Sequence, residues 1–141
     1  MYNKLHQVFS AAKIIIILLG TNLLDEATNT KIVHELLITA QMLRAKYRDT
    51  KIYIGTLIPR IGLQQIQANA KIPIINSQIK KLAPKLNIGV CNLNKSLVKG
   101  GLPKGPENWS DRGIHKGLHL SQIGNTKVKH YLIEFTKKLI K

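Results

Sequence analysis

The chain has 141 residues, enough for a single domain with one core. An apolar fraction of 44% argues against global disorder, and a lone cysteine, Cys91, excludes an intramolecular disulfide and gives no sign of an oxidising compartment. Lys and Arg number 22 against 7 Asp and Glu, a formal charge of +15; residues 1–70 carry 8 basic and 4 acidic side chains (+4) and residues 71–141 carry 14 and 3 (+11), an excess that either draws polyanions or forms a solubilising lysine surface.

In chain order, Tyr2, Leu5, Val8 and Phe9 have roughly helical spacing and predict a short helix over 2–9. Lys13–Leu19 follows as a strand, with an unbroken apolar run from Ile14 to Leu19 and four consecutive isoleucines. This is the pattern of a strand buried on both faces. Gly20 ends it with a sharp turn, leaving Thr21 and Asn22 just past its carboxyl end, where ligands bind in open parallel sheets. After a polar loop, Thr28 or Thr30 caps a helix that runs to about Tyr47. Its apolar side holds Ile32, Val33, Leu36, Leu37, Ala40, Met42 and Leu43. Lys51–Leu57 reads as a second strand, closed by Ile58-Pro59-Arg60.

Residues 61–73 are expected as a loop or short helix with Pro73 as a breaker, and a helix is expected from Ile74 to Ala83, ended by Pro84. Ile88–Leu93 is the third strand. Residues 94–118 lack periodicity and read as one long loop. A closing helix spans Ser121–Ile140, with Ser121 as its cap and Val128, Leu132, Ile133 and Phe135 on its apolar side. Alternating strands and helices define an α/β fold with a parallel sheet and helices on its faces, and three strands make a thin sheet for that class.

Among the five histidines, His119 stands apart. It lies in Gly117-Leu118-His119-Leu120-Ser121, between the long loop and the last helix, where a neutral imidazole can accept a proton from a nucleophile. The histidines are too scattered for a metal site, no carboxylate–histidine pair has zinc-motif spacing, and no phosphate-cradling glycine motif follows a strand.

The ordered pair of Gly20-Thr21-Asn22 and Gly117-Leu118-His119-Leu120-Ser121, with Ile58-Pro59-Arg60 and the Ile75-Asn76 helix between, resembles the SGNH or GDSL hydrolases, esterases and lipases of flavodoxin-like fold. The resemblance covers the chain but corresponds to the later part of such a domain. It implies a flavodoxin-like three-layer α/β/α architecture truncated at its amino-terminal side. It also implies Asn22 as an oxyanion-hole donor and His119 as the general base, with Gly20, Asp25 and Asp111 in possible supporting places and no cofactor. The family's Gly-Asp-Ser nucleophile block has no counterpart here, and the nucleophile is unassigned. Ser10, Ser77, Ser96, Ser110 and Ser121 all lack that context. The aspartate that follows the family's asparagine is Leu23, and the one three residues before its histidine is Lys116, which disfavours an imidazolium.

The expected substrate, if the chain is active, is a small ester. Two other partners are expected: nucleic acid, through Lys80, Lys81, Lys85, Lys127, Lys129, Lys137 and Lys138 of the basic second half, and another strand at the sheet edge that a missing first strand exposes. The run at 14–19 is too short to cross a bilayer and lacks a small-residue cleavage site after it, so the domain is read as soluble and intracellular.

Overall fold

A computed structural model describes residues 2–62, 65–95, 97–99, 102–103, 105–110 and 119–140, apart from the side chains of 2–5, 22, 99 and 102. Strands β1 (Ile14–Ile17), β2 (Lys51–Gly55) and β3 (Gly89–Cys91) form a parallel sheet in the order β1-β2-β3. Ile14 is opposite Lys51, and Tyr53 is opposite Gly89. Helices α1 (Tyr2–Ala11), α2 (Asn29–Lys46), α3 (Ile66–Leu82) and α4 (Gln122–Ile140) complete the framework.

Side chains of a strand alternate between its faces, and that alternation builds two cores. Ile15, Ile17, Ile52 and Ile54 meet Ile32, Val33 and Leu36 of α2 and Ile72, Ile75 and Ile79 of α3. Ile16 faces the other way, with Cys91, Leu93 and Trp109, toward Val128, Tyr131, Leu132 and Phe135 of α4. Tyr53 joins this second side, its ring edge-to-face with Phe135 at 5.3 Å. The result is the three-layer α/β/α arrangement expected from the sequence.

Helix α2 starts where its cap predicts, since the Thr28 hydroxyl accepts a hydrogen bond from the Lys31 N–H at 3.1 Å. Arg44 and Lys46 fall in its last turn, as the helix dipole favours. Ser121 likewise precedes α4 and accepts from the Gly124 N–H at 3.2 Å. Met42 and Ile133, expected on apolar sides, are exposed instead.

The largest departure is α3, which begins at Ile66 and runs through Pro73. Proline inside a helix gives up one hydrogen bond and costs about 3 kcal/mol. Here its ring lies on an exposed position, while Ala68, Ile72, Ile75, Asn76 and Ile79 are buried along the other side. Burying several side chains, at roughly 1.5–3 kcal/mol each, outweighs that loss. The expected loop at 94–118 also holds structure. Val98–Lys99 (β4) and Leu102–Pro103 (β5) pair antiparallel, and a single 3₁₀ turn spans Pro106–Asn108.

On its outer side β1 has no strand neighbour among the described residues. Leu18 and Leu19, which continue it, are about half exposed. No helix among the described residues is long and apolar enough to cross a membrane.

Candidate functional site

Gly20 leaves β1 with φ of 107°, in the left-handed region that side chains resist. A Cβ there would also approach the Leu57 side chain to 3.1 Å. The turn feeds a 3₁₀ segment, Thr21–Leu23, so that position 22 lies just beyond the carboxyl edge of the sheet, as the sequence predicts. Leu23 packs against the main core. The side chain of Asn22 lies outside the described parts of the structure.

His119 reaches the same edge from the far end of the chain. The Ser110 N–H donates to the His119 carbonyl at 2.8 Å, and Trp109 and Leu120 form an antiparallel bridge. Trp109 is almost wholly buried, and its indole Nε1–H donates to the Pro59 carbonyl at 2.9 Å. Thus a short two-stranded contact carries the histidine, and a tryptophan fastens that contact to the end of β2.

Gly20, Thr21 and His119 line one cavity of about 400 Å³, with Leu18, Leu19, Ile58, Pro59, Trp109, Leu120 and Asn125 completing its wall. Two of the segments singled out in the sequence, nearly a hundred positions apart, therefore meet in one crevice. Asp111 and Lys116 lie outside the described residues.

Asp25 turns elsewhere. Its carboxylate accepts from Arg60 Nη1 at 2.8 Å, with the guanidinium only 5% exposed and the aspartate 64% exposed. The same guanidinium donates through Nη2 to the Thr21 carbonyl at 2.6 Å and through Nη1 to Gln65 at 3.0 Å. Arg60 thereby holds the turn that carries Asn22. Its own backbone is held by Asn69, whose Oδ1 accepts from the Arg60 N–H at 2.7 Å. Asn76 serves Leu57 in the same way, accepting from its N–H at 2.8 Å and donating to its carbonyl at 3.0 Å. Where β2 has run out of strand partners, side-chain amides take over.

Arg60, Trp109, Asn69 and Asn76 are the site residues that sequence reasoning missed as such. A proline-arginine pair after a strand and an isolated tryptophan in a polar loop were the available signals, and neither says where its side chain will land.

Among the described residues no three or more His, Cys, Asp or Glu side chains gather in a way that could hold a metal ion.

A parallel sheet with a crevice at its carboxyl edge is common to open α/β folds, and the likeness to solved structures narrows this one to a GDSL-like fold. The chain is similar to a candidate platelet activating factor from Streptococcus pneumonia, with a TM-score of 0.74 and 23% identity over 89% of this chain and 60% of that one. It is also similar to a GDSL-like lipase from Bacteroides thetaiotaomicron, with a TM-score of 0.69 and 18% identity over 90% of this chain and 63% of that one. The chain thus spans less than two thirds of the length of either. No family model matches it, and no curated protein does.

Proposed function

We propose that the crevice is the ester-cleaving site of an SGNH-type hydrolase, with His119 as general base and Asn22 as oxyanion donor, and that the serine is supplied from beyond the residues described. The observation that carries this reading is the joint lining of one cavity by Gly20, Thr21 and His119. A serine oxygen placed there would attack the ester carbonyl as the His119 imidazole takes its proton. The carbonyl oxygen, becoming negative, would accept a hydrogen bond from the Asn22 amide. Collapse of the tetrahedral intermediate expels an alkoxide, which recovers the proton from His119 as the alcohol. Water then repeats the sequence to release the acid.

The place for the serine is beside β1, whose outer edge is unpaired among the described residues and adjoins the crevice through Leu18 and Leu19. A strand added to that edge would run its end alongside Gly20. The chain alone is expected to hydrolyse p-nitrophenyl acetate at the background rate. Fusing a strand that ends in Gly-Asp-Ser ahead of residue 1 is expected to create saturable turnover, lost again on His119→Ala and reduced by on the order of 10²–10³ on Asn22→Ala. A fusion that folds and stays at background, or turnover indifferent to His119, would overturn the proposal.

A further inference from the structure

The end of the molecule opposite the crevice collects positive charge, for a reason rooted in topology. In a parallel sheet each connecting helix returns against the strand direction, so helix C-termini gather at the amino edge of the strands. Basic residues favour those termini. The last turns of α2, α3 and α4 carry Arg44 and Lys46, Lys80 and Lys81, and Lys137 and Lys138 respectively. Dipole compensation explains a basic residue or two per helix. It does not explain what happens between α2 and β2.

There, Arg44 on α2, Arg48 just past it and Lys51 at the start of β2 line one cavity of about 530 Å³, larger than the crevice. None of its lining residues is acidic, and the nearby Asp49 is not among them. Among the described residues, none of the three cations has an ion pair or a side-chain hydrogen bond. Three positive charges around a common hollow repel one another, and a helix end supplies only about half a compensating charge. The opposite wall is formed by Pro84, Asn87, Ile88 and Gly89. Asn87 takes a left-handed conformation at φ of 60°, and the Tyr53 ring lies across Gly89, where a Cβ would sit 2.2 Å from the ring.

We propose that this groove binds phosphate groups, with Arg44 and Arg48 as forked donors to the phosphate oxygens and Lys51 as a point charge. A guanidinium fork pairs with two oxygens of a carboxylate or a phosphate alike, and three cations around one hollow favour the multiply charged, many-oxygen phosphate over a singly charged carboxylate or halide. The surrounding field of a +15 chain would steer such a ligand toward it. A nucleic acid backbone and a small polyphosphate present the same chemistry. All three cations of the groove thus lie in the first half of the sequence, not in the lysine-rich second half.

The test uses two probes on the whole chain: a labelled single-stranded RNA of about 20 nucleotides followed by anisotropy, and inorganic tripolyphosphate followed by calorimetry. At least one is expected to bind at roughly 50 mM salt. For the RNA, the Arg44→Ala/Arg48→Ala/Lys51→Ala variant is expected to lose on the order of 100-fold at about 0.1 M salt, and its salt slope to flatten by about 2. Lys31→Ala/Lys95→Ala/Lys127→Ala removes the same charge from the crevice end and is expected to lose no more than a few-fold. Circular dichroism checks that both variants fold. If the first does not, Arg48→Ala and Lys51→Ala singly, both exposed positions, should each flatten the slope by roughly 0.7. RNA binding without tripolyphosphate binding identifies a polymer backbone, and the reverse identifies a small phosphate ligand. No binding of either probe, or equal losses in the two triple variants, would overturn the proposal.

Discussion

The two faces of the sheet are built to different standards. Under α2 and α3, fifteen buried side chains among the described residues form a continuous aliphatic core, mostly isoleucine, leucine and valine. Under α4 the buried set among the described residues is five, including a thiol and an indole, with tyrosine and phenylalanine packed at its margin. The first face is mostly aliphatic, with the Asn76 amide paired to the backbone of Leu57 at its end. The second mixes apolar contact with hydrogen bonds that have directions, such as Trp109 to Pro59. Rigidity and chemistry are thereby divided: one side supplies a stiff platform, while the other carries His119 to the rim. Segments with fewer buried contacts open more readily, and binding elements are commonly drawn from them.

That division can be broken from either side. The largest effect should come from Ile75→Ala, which empties a fully buried site between α3 and the sheet. A loss of about 2–5 kcal/mol is expected in urea unfolding, enough to threaten the fold. An effect below 1 kcal/mol would mean that this face is not the platform. Next is Trp109→Phe, which keeps an aromatic in place but strands the Pro59 carbonyl. A cost of about 1–2 kcal/mol is expected, together with faster amide exchange at the Ser110 N–H, which pairs with His119, and no change in exchange on α3. Equal changes on both faces would erase the distinction.

The smallest effect is a pH dependence confined to the α4 face. Burial raises the Cys91 thiol above its ordinary value of 9.0, against a weaker lowering by its hydrogen bond with Tyr131. Burial also raises Tyr131, with a smaller contribution from Cys91. Both groups lose their protons sooner in the unfolded chain. Their contribution is therefore complete below the unfolded values and is lost as pH rises through the folded ones. Urea midpoints should fall between about pH 8 and about pH 10.5, and Cys91→Ala should make that decline shallower without abolishing it. An identical decline in the variant would show that the thiol takes no part.

Much of the framework was legible in the residues, because strand and helix periodicities depend on local pattern. The isoleucine run, the Ser121 cap and the turn at Gly20 all stand where the sequence places them, and Thr28 is the cap of the two candidates the sequence offers for α2. Pro73 misled because a local penalty was weighed without the burial that opposes it. Ile72, Ile75 and Asn76 secure α3 through contacts that are visible only once the sheet exists. Of the site, Gly20 and His119 were legible as two separate short motifs. Their meeting in one crevice rested on the family resemblance. The supports were hidden for a different reason. Arg60 bonds to residues 35 and 39 positions away and Trp109 to one 50 positions away, and no spacing rule connects such partners.

Those two supports converge on neighbouring links of the backbone, since Pro59 receives the indole and Arg60 grips the Thr21 carbonyl. The two walls of the crevice are therefore not independently adjustable. A twist of the peptide between positions 59 and 60 would tilt both together, as a single hinge pin moves both leaves of a gate. Substitutions that reshape the mouth of the crevice would then arise most readily at that dipeptide, whose proline forms part of the crevice wall.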